Sequence, residues 1–255
     1  MRDEYDWLYL SPHLDDAVLS CGGQIHRHTR EGQTSLVVTL MAPDPCWPPP
    51  SPFASRFLEM CGLGPDAGAV RRREDEAACA VLGADTLHAP FQEGNVRLDA
   101  HGQALYPDPA TLFGAVRDDD QAVRQAVTAF LNELPRGTRV VAPLGIGGHV
   151  DHQIVRSAAE DVFGSDLLYY EDFPYANKWG ATRPFTQPAS AWHSQVIRLS
   201  AADRNARLAA FTRYESQWRM LFGSETAMRV KNRLFLLRRG GERLWRHQPG
   251  KSTHE

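Results

Sequence analysis

The sequence lacks the features of membrane-spanning, disulfide-stabilised and nucleic-acid-binding proteins. No run approaches the ~20 apolar residues that cross a bilayer, and residues 1–6 carry three acids rather than a signal-peptide core. The four cysteines show no C-x-x-C spacing, which predicts free thiols in a reducing, cytoplasmic compartment. Lys and Arg total 28 against 31 Asp and Glu, so no excess of positive charge favours nucleic acid. We therefore expect neither a membrane span nor a nucleic-acid partner.

The chain does have the length and apolar content of one globular domain. Its 255 residues are 42% hydrophobic and 23% charged, and a chain of this size buries about 70–75% of its unfolded surface. Such burial removes the need for a disulfide or a structural metal. No repeat or linker divides the sequence, so we predict one domain over residues 1–255 with a polar, frayed tail from about residue 240.

Short apolar runs alternate with stretches of helical periodicity over the first two thirds of the chain. Predicted strands cover residues 7–10, 35–41, 86–89, 139–142 and 167–170, and predicted helices cover 15–30, 71–82, 120–134 and 151–163. Strand-helix-strand units of this length form parallel pairs with right-handed crossovers. The alternation predicts an α/β fold, namely a single-domain, Rossmann-like layered sheet that is mostly parallel, with helices on both faces.

The last third of the chain has a different pattern. We predict a strand at 191–199 that can be antiparallel, a helix at 201–221 and a strand at 234–237. Two proline-containing segments, 42–66 and 172–190, are predicted to form neither helix nor sheet ladder. Both follow predicted parallel strands, so they emerge at the carboxyl edge of the sheet, where open α/β sheets bind ligands.

A histidine and two acids follow the first predicted strand. His13, Asp15 and Asp16 lie at the junction with the next helix, at the carboxyl edge of the sheet. Neighbouring Asp side chains point in different directions, so one can ligate a metal while the other meets water or substrate. The plainer interpretation is a helix-capping Asp beside a surface His, which helix electrostatics alone explain.

A second polar cluster follows the predicted strand at 139–142. Residues 145–152 read Gly-Ile-Gly-Gly-His-Val-Asp-His, and the glycines allow a tight bend. His149 and His152 lie three apart at a helix start and share a face, with Asp151 between them as an orienting acceptor. The alternative is a glycine-rich turn with solvated imidazoles.

The two clusters together favour a metal site. A parallel sheet brings both junctions to one edge, where a His, an Asp and a His form a nitrogen and oxygen donor set with an open position. This set is typical of catalytic zinc rather than of a closed structural site. The remaining groups, which include Asp15, His149 and Asp151, suffice for a base, an electrophile and an orienting group.

The two clusters resemble the motifs of the PIG-L/LmbE-like family of metal-dependent N-acetylglucosaminyl deacetylases. Residues 13–16 match its His-x-Asp-Asp element, and residues 149–152 match its His-x-Asp-His element. Residues 71–74 are similar to its Arg-x-x-Glu helix, and residues 213–217 give a weaker likeness. The resemblance spans roughly residues 5–217, and the paired motifs in this order are fairly specific.

The resemblance implies a metal-dependent amidohydrolase. Its Zn²⁺ site would be His13, Asp16 and His152, with Asp15 as the general base toward water. Sites with two His and one Asp also take Fe²⁺, so ferrous iron is the alternative metal. The implied reaction removes acetyl from an N-acetylated amino sugar, such as an N-acetylglucosaminyl conjugate, and releases acetate and the free amine.

The resemblance also implies groups around the reacting carbonyl. A protonated His149, held by Asp151, would stabilise the carbonyl oxygen, and Arg71 would help to hold the sugar. Some relatives carry a Tyr where this chain has Gly147, so an oxyanion contact from that position is absent. The leaving amine would receive its proton from Asp15 or from His149, and the sequence leaves that choice open.

Aromatic residues on the predicted loop at 172–190 are further candidates. Tyr175 and Trp179 can stack on a sugar ring, although apolar loop packing is the default role of such side chains.

Other functions fit parts of the pattern. A related hydrolase would cleave another N-acyl group or an ester on a glycoside or small metabolite, and a catalytically silent relative would only bind sugar. A nucleotide-binding module is disfavoured because residues 11–23 lack G-x-G-x-x-G and place acids where a pyrophosphate would lie. The sequence is compatible with a homo-oligomer.

Overall fold

Seven strands join one mixed sheet in the computed structural model, which describes residues 2–45, 47–135 and 139–248. The strands are β1 (Trp7–Ser11), β2 (Ser35–Thr39), β3 (Asp85–His88), β4 (Arg139–Pro143), β5 (Leu168–Tyr170), β6 (Trp192–Ile197) and β7 (Glu242–His247). Their order is β3-β2-β1-β4-β5-β7-β6. The first five are parallel, and β7 runs antiparallel to both β5 and β6. The predicted fold, a mostly parallel sheet with later antiparallel strands in a single α/β domain, is confirmed.

Helices connect and cover the strands. They are α1 (Asp16–Arg30), α2 (Pro52–Cys61), α3 (Ala67–Leu82), α4 (Pro109–Leu112), α5 (Gln121–Asn132), α6 (Val150–Phe163), α7 (Ala201–Phe211), α8 (Glu215–Phe222) and α9 (Glu225–Arg239). Helices α1, α3 and α7 pack on one another, and α5 packs on α6. The β1-to-β2 and β4-to-β5 connections run in opposite directions across the sheet, so right-handed crossovers place α1 and α6 on opposite faces.

The centre of the sheet is the core of the molecule. Every residue of β1 and β2 is buried, because helices cover both faces of the parallel region. Strands β1 and β4 are neighbours whose connections leave in opposite directions. Their carboxyl ends therefore form the crevice in which α/β sheets bind ligands. None of the helices in the described ranges is long and apolar enough to cross a membrane.

Two predictions about the last third of the chain are wrong. Residues 234–237 lie in α9 rather than in a strand. Phe235 and Leu236 are buried while Leu234 and Leu237 are exposed, which is helical rather than alternating periodicity. The helix predicted at 201–221 is interrupted between α7 and α8.

The segments predicted to be irregular differ from each other. The 42–66 segment contains α2, so that prediction is wrong. The Ser51 side chain accepts a hydrogen bond from Ala54 N at 3.1 Å, and Pro52 begins the helix, a favourable first position for proline. The 172–190 segment contains three-residue turns and no longer helix.

The predicted frayed tail contains β7, which lies inside the sheet between β5 and β6. The tail beyond residue 248 lies outside the described residues. Cys21, Cys61 and Cys79 are buried free thiols, as predicted, whereas Cys46 also lies outside the described residues.

Candidate active site

The β1–α1 junction places three polar side chains at the carboxyl edge of the sheet. The Ser11 hydroxyl donates to the His13 carbonyl at 2.6 Å and accepts from Ala17 N at 3.0 Å, which fixes the turn. Asp15 has φ 157°, a positive value otherwise confined to glycine among the described residues. Its carboxylate does not cap α1, so the helix-cap interpretation fails for Asp15. Asp16 instead accepts from His13 N at 2.9 Å.

The β4–α6 junction brings the second cluster to the same edge. His149 is the N-cap of α6, and Asp151 and His152 lie in its first turn. Gly147 has φ +102°, and a Cβ there would lie 2.8 Å from Cγ of Tyr175. The Tyr175 ring therefore fills the space beside residue 147, which explains why this chain has no side chain at that position.

Three ligand-type atoms from the two junctions converge. Asp16 Oδ2 lies 3.0 Å from Nδ1 of His13 and 3.2 Å from Nε2 of His152, and the three donor atoms lie within 4.8 Å of one another. We call this group the metal corner. A second group of donors, His13 with His149 and Asp151, meets the same distance limit.

The hydrogen bonds around the imidazoles favour the metal corner over the second group as a cation site. Each of its histidines uses its other ring nitrogen to contact a buried carboxylate: His13 Nε2 lies 2.8 Å from Asp151, and His152 Nδ1 lies 2.7 Å from Asp172. Such outer carboxylates fix the tautomer and orientation of metal-binding histidines. The residues present therefore fit a divalent cation at His13, Asp16 and His152.

The carboxylate of Asp151 holds a different histidine from the one expected. It lies 3.8 Å from Nδ1 of His149, whereas it contacts His13 directly and also accepts hydrogen bonds from Arg97 and from Gly94 N. His149 is held by the backbone instead, since Asp151 N donates to its Nδ1 at 3.2 Å.

Asp172 and Arg97 were missed from the sequence. Asp172 lies two residues beyond the end of β5, the neighbour of β4, and Ile146 N donates to its second oxygen at 2.8 Å. The sequence did carry a signal for Asp172, because it is an acid at the carboxyl end of a predicted strand, as are the acids after β1. Arg97 also pairs with Asp120 at 2.7 Å, a contact between distant segments that no local pattern reveals.

The metal corner concentrates negative charge around its imidazoles. Burial lowers the pKa of His13, but hydrogen bonds to Asp151 and Asp16 outweigh it and raise the pKa well above its ordinary value. Burial also lowers the pKa of His152, but the charge of Asp16 outweighs burial and raises this pKa to about 9. Protons thus occupy the nitrogens that a cation would use, and metal binding would displace them.

His149 has the opposite electrostatics. Burial, followed by the adjacent charge of His13, holds the pKa of His149 well below its ordinary value. The prediction of a protonated His149 therefore stays a prediction, and the lowered pKa favours a neutral ring instead. Because Nδ1 accepts from Asp151 N, a neutral ring would carry its proton on Nε2. Asp15 is buried beside it, and burial and then Asp16 raise the pKa of Asp15 well above the usual range, while Arg71 lowers it.

A cavity of about 620 Å³ opens onto these groups. Its polar wall is formed by the side chains of His13, Asp15, Asp16, Arg71, Glu93, Asn95, His149 and Gln217. Its apolar wall includes Leu19, Phe53, Phe57, Met60, Leu112, Phe113, Phe173, Tyr175, Met220 and Leu221.

Two residues of the wall contain a buried polar atom that lacks a hydrogen-bond partner. Arg71 is 6% exposed and pairs with Glu93. Its Nε and the Oδ1 of Asn95 are buried and have no hydrogen-bond partner within the described residues. Buried polar groups are normally satisfied, so these two point to a polar ligand. Asn95 had no sequence signal.

Of the two aromatic candidates in the 172–190 segment, one lines the cavity and the other does not. Tyr175 lines the cavity, and its ring centroid lies 5.9 Å from that of Phe113 and 6.1 Å from that of His152. Trp179 is 89% exposed, packs against Arg183 and is not part of the cavity wall.

Comparisons with known proteins agree with this geometry. The chain is 28% identical over 248 residues to a 2'-N-acetylparomamine deacetylase of Niallia circulans, covering 91% of this chain and 87% of that protein. Its fold matches the zinc-inhibited form of a teicoplanin deacetylase with a TM-score of 0.81 and 28% identity, over 97% of this chain and 99% of that one. An A40926 pseudoaglycone deacetylase matches with a TM-score of 0.70 and 27% identity, over 95% and 96%.

The family model described as PIG-L: GlcNAc-PI de-N-acetylase matches residues 8–163. That range contains both histidine motifs, the metal corner and the paired Arg71 and Glu93. The chain belongs to the PIG-L family of de-N-acetylases.

Proposed function

We propose that this protein is a zinc-dependent hydrolase that removes the acetyl group from an N-acetylated amino sugar and releases acetate and a free amine. The observation that carries the proposal is the metal corner, whose three donor atoms lie within 4.8 Å of one another beside Asp15 and His149 on one cavity. The family and the deacetylase relatives support the same reaction.

His13, Asp16 and His152 would hold the metal. When bound there, a divalent cation supplies Lewis acidity, which lowers the pKa of a water molecule and polarises a carbonyl oxygen. We propose zinc because two histidines and one carboxylate with an open position are typical of catalytic zinc. The zinc-inhibited form of a structural relative supports zinc binding at such a site, not zinc catalysis. Fe²⁺ is the alternative that metal reconstitution distinguishes.

The remaining groups supply the proton transfers. Asp15 takes a proton from the attacking water as the new carbon–oxygen bond forms. The neutral His149 directs its Nε2 proton to the carbonyl oxygen, where negative charge develops. When the carbon–nitrogen bond breaks, Asp15 returns its proton to the amine nitrogen, because His149 holds only the proton that it shares with the oxygen.

The cavity wall supplies the sugar contacts. Arg71 and Asn95 offer a buried donor and acceptor to hydroxyl groups, and Glu93 beside them adds a carboxylate. Phe113 contacts His149, and Tyr175 contacts Phe113 and His152, so an acetamido group would pack beside these two rings. The proposed substrate is accordingly a small-molecule amino-sugar conjugate. We retain the cytoplasm as the predicted location of the protein because three of its cysteines are buried free thiols.

Acetate release tests the proposal directly. We expect metal-stripped protein to be inactive toward N-acetylglucosamine glycosides, and zinc or anaerobically added Fe²⁺ to restore acetate release, with zinc the more effective at one equivalent. An enzyme that binds metal but hydrolyses only esters or other N-acyl groups would replace the proposed substrate with the related hydrolase. Metal binding without turnover of any of them would leave a sugar-binding protein.

A further inference from the structure

The outer wall of the cavity is apolar and formed by two helices. Phe53, Phe57 and Met60 of α2 line it together with Met220 and Leu221 of α8, and the two helices pack against each other. Pockets that bury drug-sized ligands measure roughly 300–1,000 Å³, so the 620 Å³ cavity has room for more than one sugar ring.

Phe53 and Leu221 pack against the core, whereas Phe57, Met60 and Met220 do not belong to it. Helix α2 buries Ala54 and Leu58 on its inner side, whereas Phe53 and Phe57 are half-buried and Met60 is 53% exposed. Large apolar groups that are clustered and partly exposed mark a binding surface more often than a packing requirement.

Helix α8 is fixed in position by acids of α3. Glu74 accepts hydrogen bonds from Ser216 N at 2.9 Å and from Ser216 Oγ at 2.6 Å. Tyr214, at the start of α8, donates to Asp75 at 2.6 Å. These contacts explain the 213–217 motif as the anchor of this wall.

The charges of the cavity disfavour a polycationic partner at the outer wall. Arg56 is the charged residue that α2 contributes, whereas the carboxylates belong to Asp15 and Asp16 at the metal corner and to Glu93, which Arg71 neutralises. Ammonium groups bound at the outer wall would meet an arginine and apolar side chains rather than carboxylates.

We propose that the amino sugar carries an apolar, uncharged aglycone, which packs between α2 and α8 while the sugar occupies the polar wall. This inference rests on the proposed deacetylase function. The acetyl group faces the metal corner, beside Phe113 and Tyr175, so the substituent at the far side of the sugar is the one that reaches Phe57 and Met220.

Matched substrates test the inference. We would measure acetate release by the zinc-loaded enzyme from the methyl and 2-naphthyl β-glycosides of N-acetylglucosamine and from an N-acetylated aminoglycoside. We expect kcat/KM for the naphthyl glycoside to exceed that for the methyl glycoside by at least about tenfold, mainly through KM, because burial of a fused ring is worth more than a decade of affinity. The aminoglycoside should be the poorest substrate.

Two truncations locate the aglycone. Phe57→Ala and Met220→Ala should each reduce the naphthyl-to-methyl preference by about fivefold, because each removes apolar contact area from one helix. Leu237→Ala is the matched control, since it truncates a 66% exposed apolar side chain on α9 and should leave the preference unchanged. Thermal unfolding of each variant would establish that it is folded.

The outcomes separate the two proposals. Equal kcat/KM for the methyl and naphthyl glycosides, or a preference for the aminoglycoside, would overturn the apolar aglycone and leave the deacetylase intact. The methyl glycoside of N-octanoylglucosamine provides another comparison: if it is hydrolysed better than any acetyl substrate, the wall binds the acyl chain instead. Absence of acetate release from all three acetylated substrates would contradict the proposed function itself.

Discussion

Two clusters of buried charge contact helix α1, one at its first turn and the other at its middle. In the first, Asp16 lies between His13 and His152 beside the cavity. In the second, Arg207 and Glu242 form an ion pair in which neither side chain is exposed. Both lie against the same helix, yet only the first opens onto a cavity.

The difference lies in which groups neutralise the charge of each cluster. Arg207 also donates to Asn232 at 2.9 Å and to the Leu19 carbonyl, while Glu242 accepts from Gly23 N and Gln24 N, each at 2.8 Å. The metal corner instead keeps raised pKa values on two imidazoles. The arginine of the second cluster keeps its charge and stabilises the fold, whereas the imidazoles of the metal corner can exchange their protons for a cation.

The largest expected effect is the loss of turnover when Asp15, beside the metal corner, is substituted. Asp15→Asn should lower kcat by about 10³-fold, within the 10²–10⁴ typical of a general base, while zinc content stays at one per chain. Steady-state acetate release and metal analysis measure the two quantities. His152→Ala is the comparison variant, because it should lose the metal together with the activity. Near-normal turnover by Asp15→Asn would contradict the assignment of the base.

Disrupting the Arg207–Glu242 pair should lower the stability of the protein rather than its activity. Arg207→Met leaves Glu242 buried without its ion-pair partner, so we expect the free energy of unfolding in urea to fall by about 3–5 kcal/mol. The exposed Arg238 provides the control: Arg238→Met should change it by less than about 0.5 kcal/mol. A loss below about 1 kcal/mol for Arg207→Met would show that the Arg207–Glu242 pair does not stabilise the fold.

A smaller effect should appear one contact away from the metal. Asp172→Asn weakens the hydrogen bond that orients His152, so zinc affinity should fall about 10–100-fold. Competition with a fluorescent chelator measures it. Asp161→Asn makes the same change at a 48% exposed side chain on α6 and should leave the affinity unaltered. Equal affinities for the two variants would exclude an orienting role for Asp172.

The smallest effect should be at Trp179. Because this side chain is 89% exposed and separate from the cavity wall, Trp179→Ala should change kcat and KM by less than about twofold, as for most surface substitutions. A large increase in KM would instead restore the sugar contact expected from the sequence.

Local chemistry accounts for what could be predicted from the sequence. Buried apolar runs such as residues 35–39 identify the parallel strands, and polar motifs directly after β1 and β4 identify the crevice residues. Pro52 after Ser51 also carried a helix-start signal, but the surrounding prolines obscured it.

Tertiary packing decided the rest. Residues 234–237 are apolar enough for a strand, yet the core takes only Phe235 and Leu236 from them. Arg97 and Asn95 acquire their positions from contacts with other segments, so no periodicity or spacing reveals them. Asp172 follows a predicted strand, but only the sheet order places that strand beside β4. The lowered pKa of His149 likewise follows from burial and from the charge of His13, which only coordinates provide.

The carboxylate of Asp151 joins the two halves of the site. It contacts His13 and also fixes the backbone of Gly94, which lies between Glu93 and Asn95 on the sugar side. One buried carboxylate thus links an imidazole of the metal corner to the backbone that carries Glu93 and Asn95, so a substitution at Asp151 disturbs the metal side and the sugar side of the cavity at once.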